Sequence, residues 1–498
     1  MRESQTIREI GISIDRFCDS EAETRALIQG AEKMASALTE ARDKTLFAYF
    51  MSNAWANLYN LRVVNTGKAW AWEQPELQQQ ICLLRTALIS SGFNDLDRIP
   101  RCQIYTNLGN ALNTVGRVGE ALEHWDRAIM LIPKFGMALG NRALGLETYA
   151  RGQYDPGHAW ILWLNAVDAY EAALASDVYF DSPGKDQIAQ CRARAAAIAP
   201  TDAVRQSYAP DGHSLGRSQV ERAYRAWALQ HRLFLHPLNE LGPISLAARD
   251  VLSQPSFVAP VNEPPMLVGF FNQLKQEYVS ARWLVYSGIS AEHPHFSDRD
   301  VLLQDTLDYP AYCLGVEQIK AGYRLAYSLF DKVAFFINRY WQLGCPERKI
   351  SFRAIWFHHQ QPDMGLHQTF VDAQNLLLRG LYWIAKDLFV PSMRDTTEPA
   401  ARDLAAIRNH LEHKYLKVTD APYEFGCSVG PFGKDTLAHV ISRNDLEEKT
   451  FKILKLARAA LIHLVLAMHT EELRRNHSGD GFVPMVLPTV PQRFKRRR

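Results

Sequence analysis

Apolar residues return every three or four positions through most of this chain, a spacing that predicts helices rather than strands. The clearest stretch is 313–343, where Val316, Ile319, Tyr323, Ala326, Phe330, Val333, Ile337 and Trp341 form one seam suited to the inside of a helical bundle. Similar patterns predict further bundle helices over about 266–287, 371–390, 399–417 and 445–475, separated by turn-rich segments. Beside the seam, Glu317, Arg324, Asp331 and Asn338 recur every seven residues and so share one polar stripe. A stripe of both signs is ordinarily a solvated or intra-bundle face.

The N-terminal third has a different rhythm. Tyr105, Leu108, Gly109, Leu112, Ala121, Trp125, Ala128 and Pro133 sit at the spacings of a tetratricopeptide repeat over residues 102–135. A second, irregular unit is expected over 136–177, lengthened by an insertion around Asp155 to Trp163; Leu46 to Leu61 and Gln79 to Leu88 suggest a degenerate pair upstream. Ser20-Glu21-Ala22-Glu23 is a capping-box start for an earlier helix. Repeats of this kind bury their faces only by stacking, so residues 1–180 are expected to form an α-solenoid whose groove takes a protein or peptide partner. Residues 181–265 are expected to be a connector with one amphipathic helix, about Ser218 to Phe234. Its Arg222, Arg225, His231 and Arg232, interleaved with Tyr224 and Trp227, fit an RNA-facing surface, or more ordinarily a linker helix docked on its neighbours. The expected class is all-α, with a helical bundle over 266–475 and a basic, proline-containing tail over 476–498 that ends in Arg493-Phe494-Lys495-Arg496-Arg497-Arg498.

Composition narrows the functions available. The chain has 498 residues, 47% of them apolar, enough for more than one core. A net charge of +2 announces no nucleic-acid binder, so any RNA site must be a local patch. Seven scattered cysteines with no Cys-x2-Cys pair argue against both a disulfide framework and a zinc ribbon, and read as reduced thiols in a cytoplasmic protein. The N-terminus lacks signal-peptide character. The longest apolar run, about Ala457 to Met468, carries Arg458 and His463 and is too short to span a bilayer, so no membrane association is expected.

The candidate chemistry lies in Ile407-Arg408-Asn409-His410-Leu411-Glu412-His413-Lys414-Tyr415. Counted at about 100° per residue from Arg408, Asn409 falls at about 100°, Glu412 at about 40° and His413 at about 140°, while Leu404, Ile407, Leu411 and Tyr415 cluster near roughly 260–340°. Reactive side chains therefore take one side and apolar ones the other. Histidine carries protons in either direction at neutral pH, a guanidinium fits phosphate oxygens with two parallel donors, and an amide holds a ribose or phosphate oxygen. These are the parts needed for attack of a ribose 2′-hydroxyl on its own phosphate, although one helix supplies a single histidine of this kind.

Arg408 and His413, with Asn409 between them, form an Arg-x4-His motif that resembles the HEPN ribonucleases, and the likeness covers about 266–475. The branch fused to tetratricopeptide repeats is the nearest likeness, with Tyr327-Ser328-Leu329-Phe330-Asp331-Lys332 a secondary point of similarity. The resemblance implies a metal-independent endoribonuclease with Arg408, Asn409 and His413 catalytic, Glu412 and Asp331 supporting, no cofactor, and 2′,3′-cyclic phosphate products. It also implies a homodimer whose two domains join two arginines and two histidines in one composite site. Ala401 and Ala405 project on the side of Arg408 and leave room for a partner helix. The implied substrates are tRNA or mRNA, in a toxin–antitoxin or anti-phage defence setting. The alternative class is a non-catalytic adaptor that binds RNA or scaffolds proteins.

Blander readings stand beside these. Arg408 and Glu412 at four-residue spacing form an ordinary helix-surface ion pair. His410 and His413 lack an evident third ligand for a metal, and His358-His359-Gln360-Gln361-Pro362-Asp363 with His367 is a denser but loop-borne cluster. There is no Gly-rich phosphate loop, no Gly-x-Ser-x-Gly elbow and no His-Glu-x-x-His.

Overall fold

A computed structural model describes residues 5–15, 20–64, 66, 68–180, 184–198, 210, 212–260, 264–306, 310–397, 402–420, 436–475 and 482–485. Ala401 and the basic end of the chain lie outside them. The N-terminal helices are α1 (Gln5–Asp15), α2 (Glu21–Met34), α3 (Ala41–Tyr59), α4 (Pro75–Ile89), α5 (Arg98–Thr114), α6 (Val118–Leu131), α7 (Gly136–Arg151), α8 (Pro156–Ala173) and α9 (Gly184–Ile198). From α3 onward each packs on the next in sequence order. Ser20 caps α2, its hydroxyl accepting from the amide of Glu23 at 3.2 Å.

Residues 102–135 form an antiparallel pair in which Leu108, Leu112, Ala121, Trp125 and Ala128 are buried. A β-carbon on Gly109 would meet the Trp125 indole nitrogen at 2.6 Å, so the large ring and the missing side chain are complementary. The expected insertion at 155–163 is instead the opening of α8. Asp155 caps that helix and Pro156 stands at its first position, where the lost amide costs nothing. Helix α9 falls in the stretch expected to be connector, and packs on α8.

The connector helix α10 (Gln219–Gln230) is docked rather than open. Tyr224 lies 5.0 Å from Trp283 and Trp227 lies 5.7 Å from Phe451, ring centre to ring centre. Arg225 pairs with Glu221, and Arg232 with Asp126 of α6. Of the side chains that suggested an RNA surface, Tyr224, Trp227, Arg225, His231 and Arg232 are engaged within the molecule, while Arg222 is exposed and donates to the Arg217 carbonyl at 2.9 Å.

The C-terminal bundle is built from α11 (Met266–Ile289), α12 (Leu314–Tyr340), α13 (Leu376–Phe389), α14 (Arg402–His413) and α15 (Arg443–Arg474). All eight residues of the α12 seam are buried. Helix α14 is shorter than its periodicity suggested. Tyr415, expected on its apolar face, belongs to strand β2 (Tyr415–Thr419), which pairs in parallel with β3 (Ala438–Ser442). The aromatic and β-branched residues Tyr415, Val418 and Thr419 favour extended backbone once a partner strand is within reach. A second pair joins β1 (Phe257–Pro260) to β4 (Phe482–Met485). These two-stranded sheets are the only ones among the described residues, and the fold is all-α.

The N-terminal helices and the bundle share one continuous core, with charges buried where they meet. Asp387 of α13, fully buried, accepts from Arg85 of α4 at 2.7 and 2.9 Å and from Arg117. Arg379 donates to the Ala69 carbonyl at 2.8 Å, and His463 meets the Gly116 carbonyl at 2.9 Å. Gly116 has φ of +93°, and a β-carbon there would lie 2.1 Å from the Leu376 carbonyl oxygen, so only glycine lets the chain approach α13 this closely. No described helix is long and apolar enough to cross a membrane.

Candidate functional site

Helix α14 is fixed from its apolar side. Leu404 and Ile407 are wholly buried, and the Tyr323 hydroxyl of α12 donates to the Leu404 carbonyl at 2.6 Å. Lys449 of α15 reaches Asp403 at 3.3 Å. That leaves Arg408, Asn409, Glu412 and His413 on the outer side, with the His413 side chain 64% exposed and that of Arg408 39% exposed. Ala405 is exposed beside them.

Glu412 lies between Arg408 and His413. One of its oxygens lies 3.1 Å from Arg408 and 3.7 Å from the His413 Nε2. The Arg408 guanidinium also sits 5.9 Å from the centre of the Tyr327 ring of α12. A cation held between a carboxylate and an aromatic face is restricted in direction but not saturated, since an arginine has five N–H donors. Asn409 is half-buried one turn before His413.

Tyr327 is the residue whose place periodicity alone understates. It stands beside the α12 seam and is not one of its eight residues, yet it supplies a wall of the site. Burial, then Asp331, push its phenol up to about 12, against the opposing pull of Arg408, so it is neutral at physiological pH. His439 of β3 is the other residue that one-dimensional reading missed, because nothing local ties it to α14. Its ring stacks on His410 at 4.9 Å, and His410 in turn donates from Nδ1 to the Ala406 carbonyl at 2.8 Å. Burial, then His410, depress the pKa of His439.

Asp331 lies one helical turn beyond Tyr327, but one of its oxygens is engaged elsewhere: it accepts from the amide of the buried Phe352 at 3.0 Å. Asn338, next along the stripe, makes a reciprocal pair with the backbone of Cys345 at 2.9 and 3.1 Å. These two members of the stripe therefore pin the 345–352 segment to α12, which is an intra-bundle task. Asp331→Ala is expected to cost about 1–3 kcal/mol by leaving a buried amide unpaired, read as a lowered denaturant midpoint. A midpoint equal to that of the parent would show that Asp331 has no such task. In the loop cluster, the His358 and His367 rings stack at 4.7 Å, and no group of three metal-ligating side chains comes together among the described residues.

Residues 258–471 match the family model described as LA2681-like HEPN. The C-terminal bundle is a HEPN domain. The matched span begins at the first strand and ends near the close of α15. No curated protein and no solved structure matches the chain. The HEPN family generally includes ribonucleases, which places this domain in an RNA-related class at the family level. The N-terminal helices lie outside the matched span.

Proposed function

We propose that the protein is a metal-independent endoribonuclease of the HEPN type, with Arg408 and His413 catalytic, Asn409 orienting, and Glu412 and Asp331 supporting. The observation that carries this reading is the joint exposure of Arg408 and His413 on the outer side of a helix whose other side is locked into the bundle. Such a pair offers a fixed cation for the phosphate and a titratable ring for the proton, while Glu412 holds both in register. In the reaction, His413 takes the proton of the ribose 2′-hydroxyl or gives one to the departing 5′-oxygen. The oxygen attacks the adjacent phosphorus, the bond to the 5′-oxygen breaks, and a 2′,3′-cyclic phosphate remains. Arg408 stabilises the phosphorane charge. The substrate is tRNA or mRNA, cut in a toxin–antitoxin or anti-phage setting, and the N-terminal helices act as a tetratricopeptide-like regulatory module for a protein or peptide. The expected result with purified protein is RNA cleavage that persists in EDTA and leaves cyclic phosphate ends. Cleavage that stops in EDTA and returns with a divalent ion would overturn the mechanism.

Two protomers would supply the second proton carrier that one helix lacks. Ala405, exposed beside Arg408, leaves space for a partner's helix to approach. Ala405→Trp is expected to convert a dimer to a monomer by light scattering and to abolish cleavage in the same preparation. A folded monomer that still cuts RNA would show that one chain suffices. The Arg408–Glu412 contact also favours a second reading, since a paired surface arginine is what a non-catalytic adaptor would carry. In that case RNA binding without cleavage is expected.

A further inference from the structure

A cavity of about 630 Å³ lies where the N-terminal helices meet the HEPN bundle, walled by α4, α5 and α6 on one side and by α15 on the other. It is within the size range of pockets that hold drug-sized molecules. Its lining is more basic than acidic: Arg85, Arg101, Arg127, Arg232, Lys452, Lys455 and Arg458 against Glu120, Glu123, Glu240 and Glu448.

Most of these charges are already matched. Arg85 is held by Asp387, Arg232 by Asp126, Arg458 by Glu240, and Lys455 and Arg127 by Glu123. Arg101 and Lys452 remain, and neither has an ion pair among the described residues. Burial, more than any neighbouring charge, depresses the Lys452 ammonium, against the pull of Glu120 and Asp387. Glu448 lines the cavity too but is exposed to solvent.

Aromatic surface accompanies the unmatched cations. Tyr105 stacks on His124 at 6.1 Å with Phe93 edge-on at 5.5 Å, and the Arg101 guanidinium lies 5.1 Å from the Phe93 ring centre. The His124 Nδ1 is shut off from solvent with no hydrogen-bond partner among the described residues. Flat rings, cations without an ion pair and an unpaired polar atom lining one cavity complement a flat base bearing phosphates.

We propose that this cavity binds a nucleotide carrying two or more phosphates, its base on the Phe93, Tyr105 and His124 surface and its phosphates at Arg101 and Lys452. Helix α15, which lines the cavity, also grips α14 through Lys449 and Asp403, so occupancy and the cleavage helix share a strut. That link rests on the proposed nuclease function; binding does not, so either reading can fail without the other.

The test is equilibrium binding of ATP and GTP to the full chain by calorimetry, with adenosine and inorganic triphosphate alongside and no metal added. Saturable binding is expected for at least one nucleotide. Adenosine and triphosphate should each bind at least tenfold more weakly, and R101Q with K452Q should weaken the nucleotide at least tenfold. In case these variants fold poorly, 8-azido-ATP is to be photocrosslinked to the parent protein and the labelled peptides sequenced. Label within 93–127 or 448–463 is expected. No binding at millimolar nucleotide, equal affinity for triphosphate alone, unchanged affinity in the folded variants, label elsewhere, or displacement by a short RNA that binds more tightly would overturn the proposal.

Discussion

Replacing either Arg408 or His413 with alanine is expected to reduce RNA cleavage by about 10²–10⁴-fold, the usual worth of a positioned proton carrier or of a charge aimed at the transition state. The same variants should keep their helical spectrum, with stability within about 0.5 kcal/mol of the parent. That separation follows from placement. The helix is anchored by the wholly buried Leu404 and Ile407 and by the Tyr323 hydrogen bond, none of which involves the two reactive side chains. Asn409→Ala should have a smaller effect, since an amide orients without moving a proton. Single-turnover cleavage and circular dichroism on one preparation read both quantities. A folded alanine variant cutting at the parental rate would remove that residue from the catalytic assignment.

The largest stability effect is expected at the junction between the N-terminal helices and the bundle. Asp387→Asn removes the charge that faces Arg85 and Arg117 while keeping the volume, and breaking a buried pair of this kind costs about 3–5 kcal/mol because the remaining charges stay desolvated. Arg25→Ala breaks the exposed pair with Glu21 and serves as control, where less than about 1 kcal/mol is expected. Equal denaturant midpoints for the two variants would show that the junction charge contributes nothing special. Acid gives an independent check. Burial opposes the Asp387 charge, but Arg117 and Arg85 prevail and hold its carboxyl below the ordinary range. A depressed carboxylate contributes stability that is complete above its unfolded value, about 3.9, and is lost as pH falls below it. The parent should therefore lose more stability than Asp387→Asn between about pH 5 and pH 2.

The helical class was legible from the chain because a period near 3.6 in apolar residues is a local property. The seam from Val316 to Trp341 folded as its spacing required, and Ser20 caps a helix where its capping-box context placed it. Ends were less legible. Tyr415 continues the apolar period of α14 but enters a strand, because its partner Ala438 is 23 residues away and no local pattern reports it. Asp155 to Trp163 suggested an insertion for a related reason: Pro156 and Gly157 resemble a break until Asp155 is seen capping the helix they begin.

The candidate site divides in the same way. Sequence by itself determined that Arg408, Asn409, Glu412 and His413 share one side of a helix opposite Leu404 and Ile407, since that follows from the geometry of a single helix. Only the tertiary structure decided that Tyr327 backs the Arg408 guanidinium, that His439 stacks on His410, and that an Asp331 oxygen is occupied by the Phe352 amide. Only it, too, brought Arg101 and Lys452, 351 positions apart in the chain, to one cavity. These contacts join distant segments, and their geometry is set by how helices pack and where a buried charge finds its counterpart, information that no window of neighbouring residues carries.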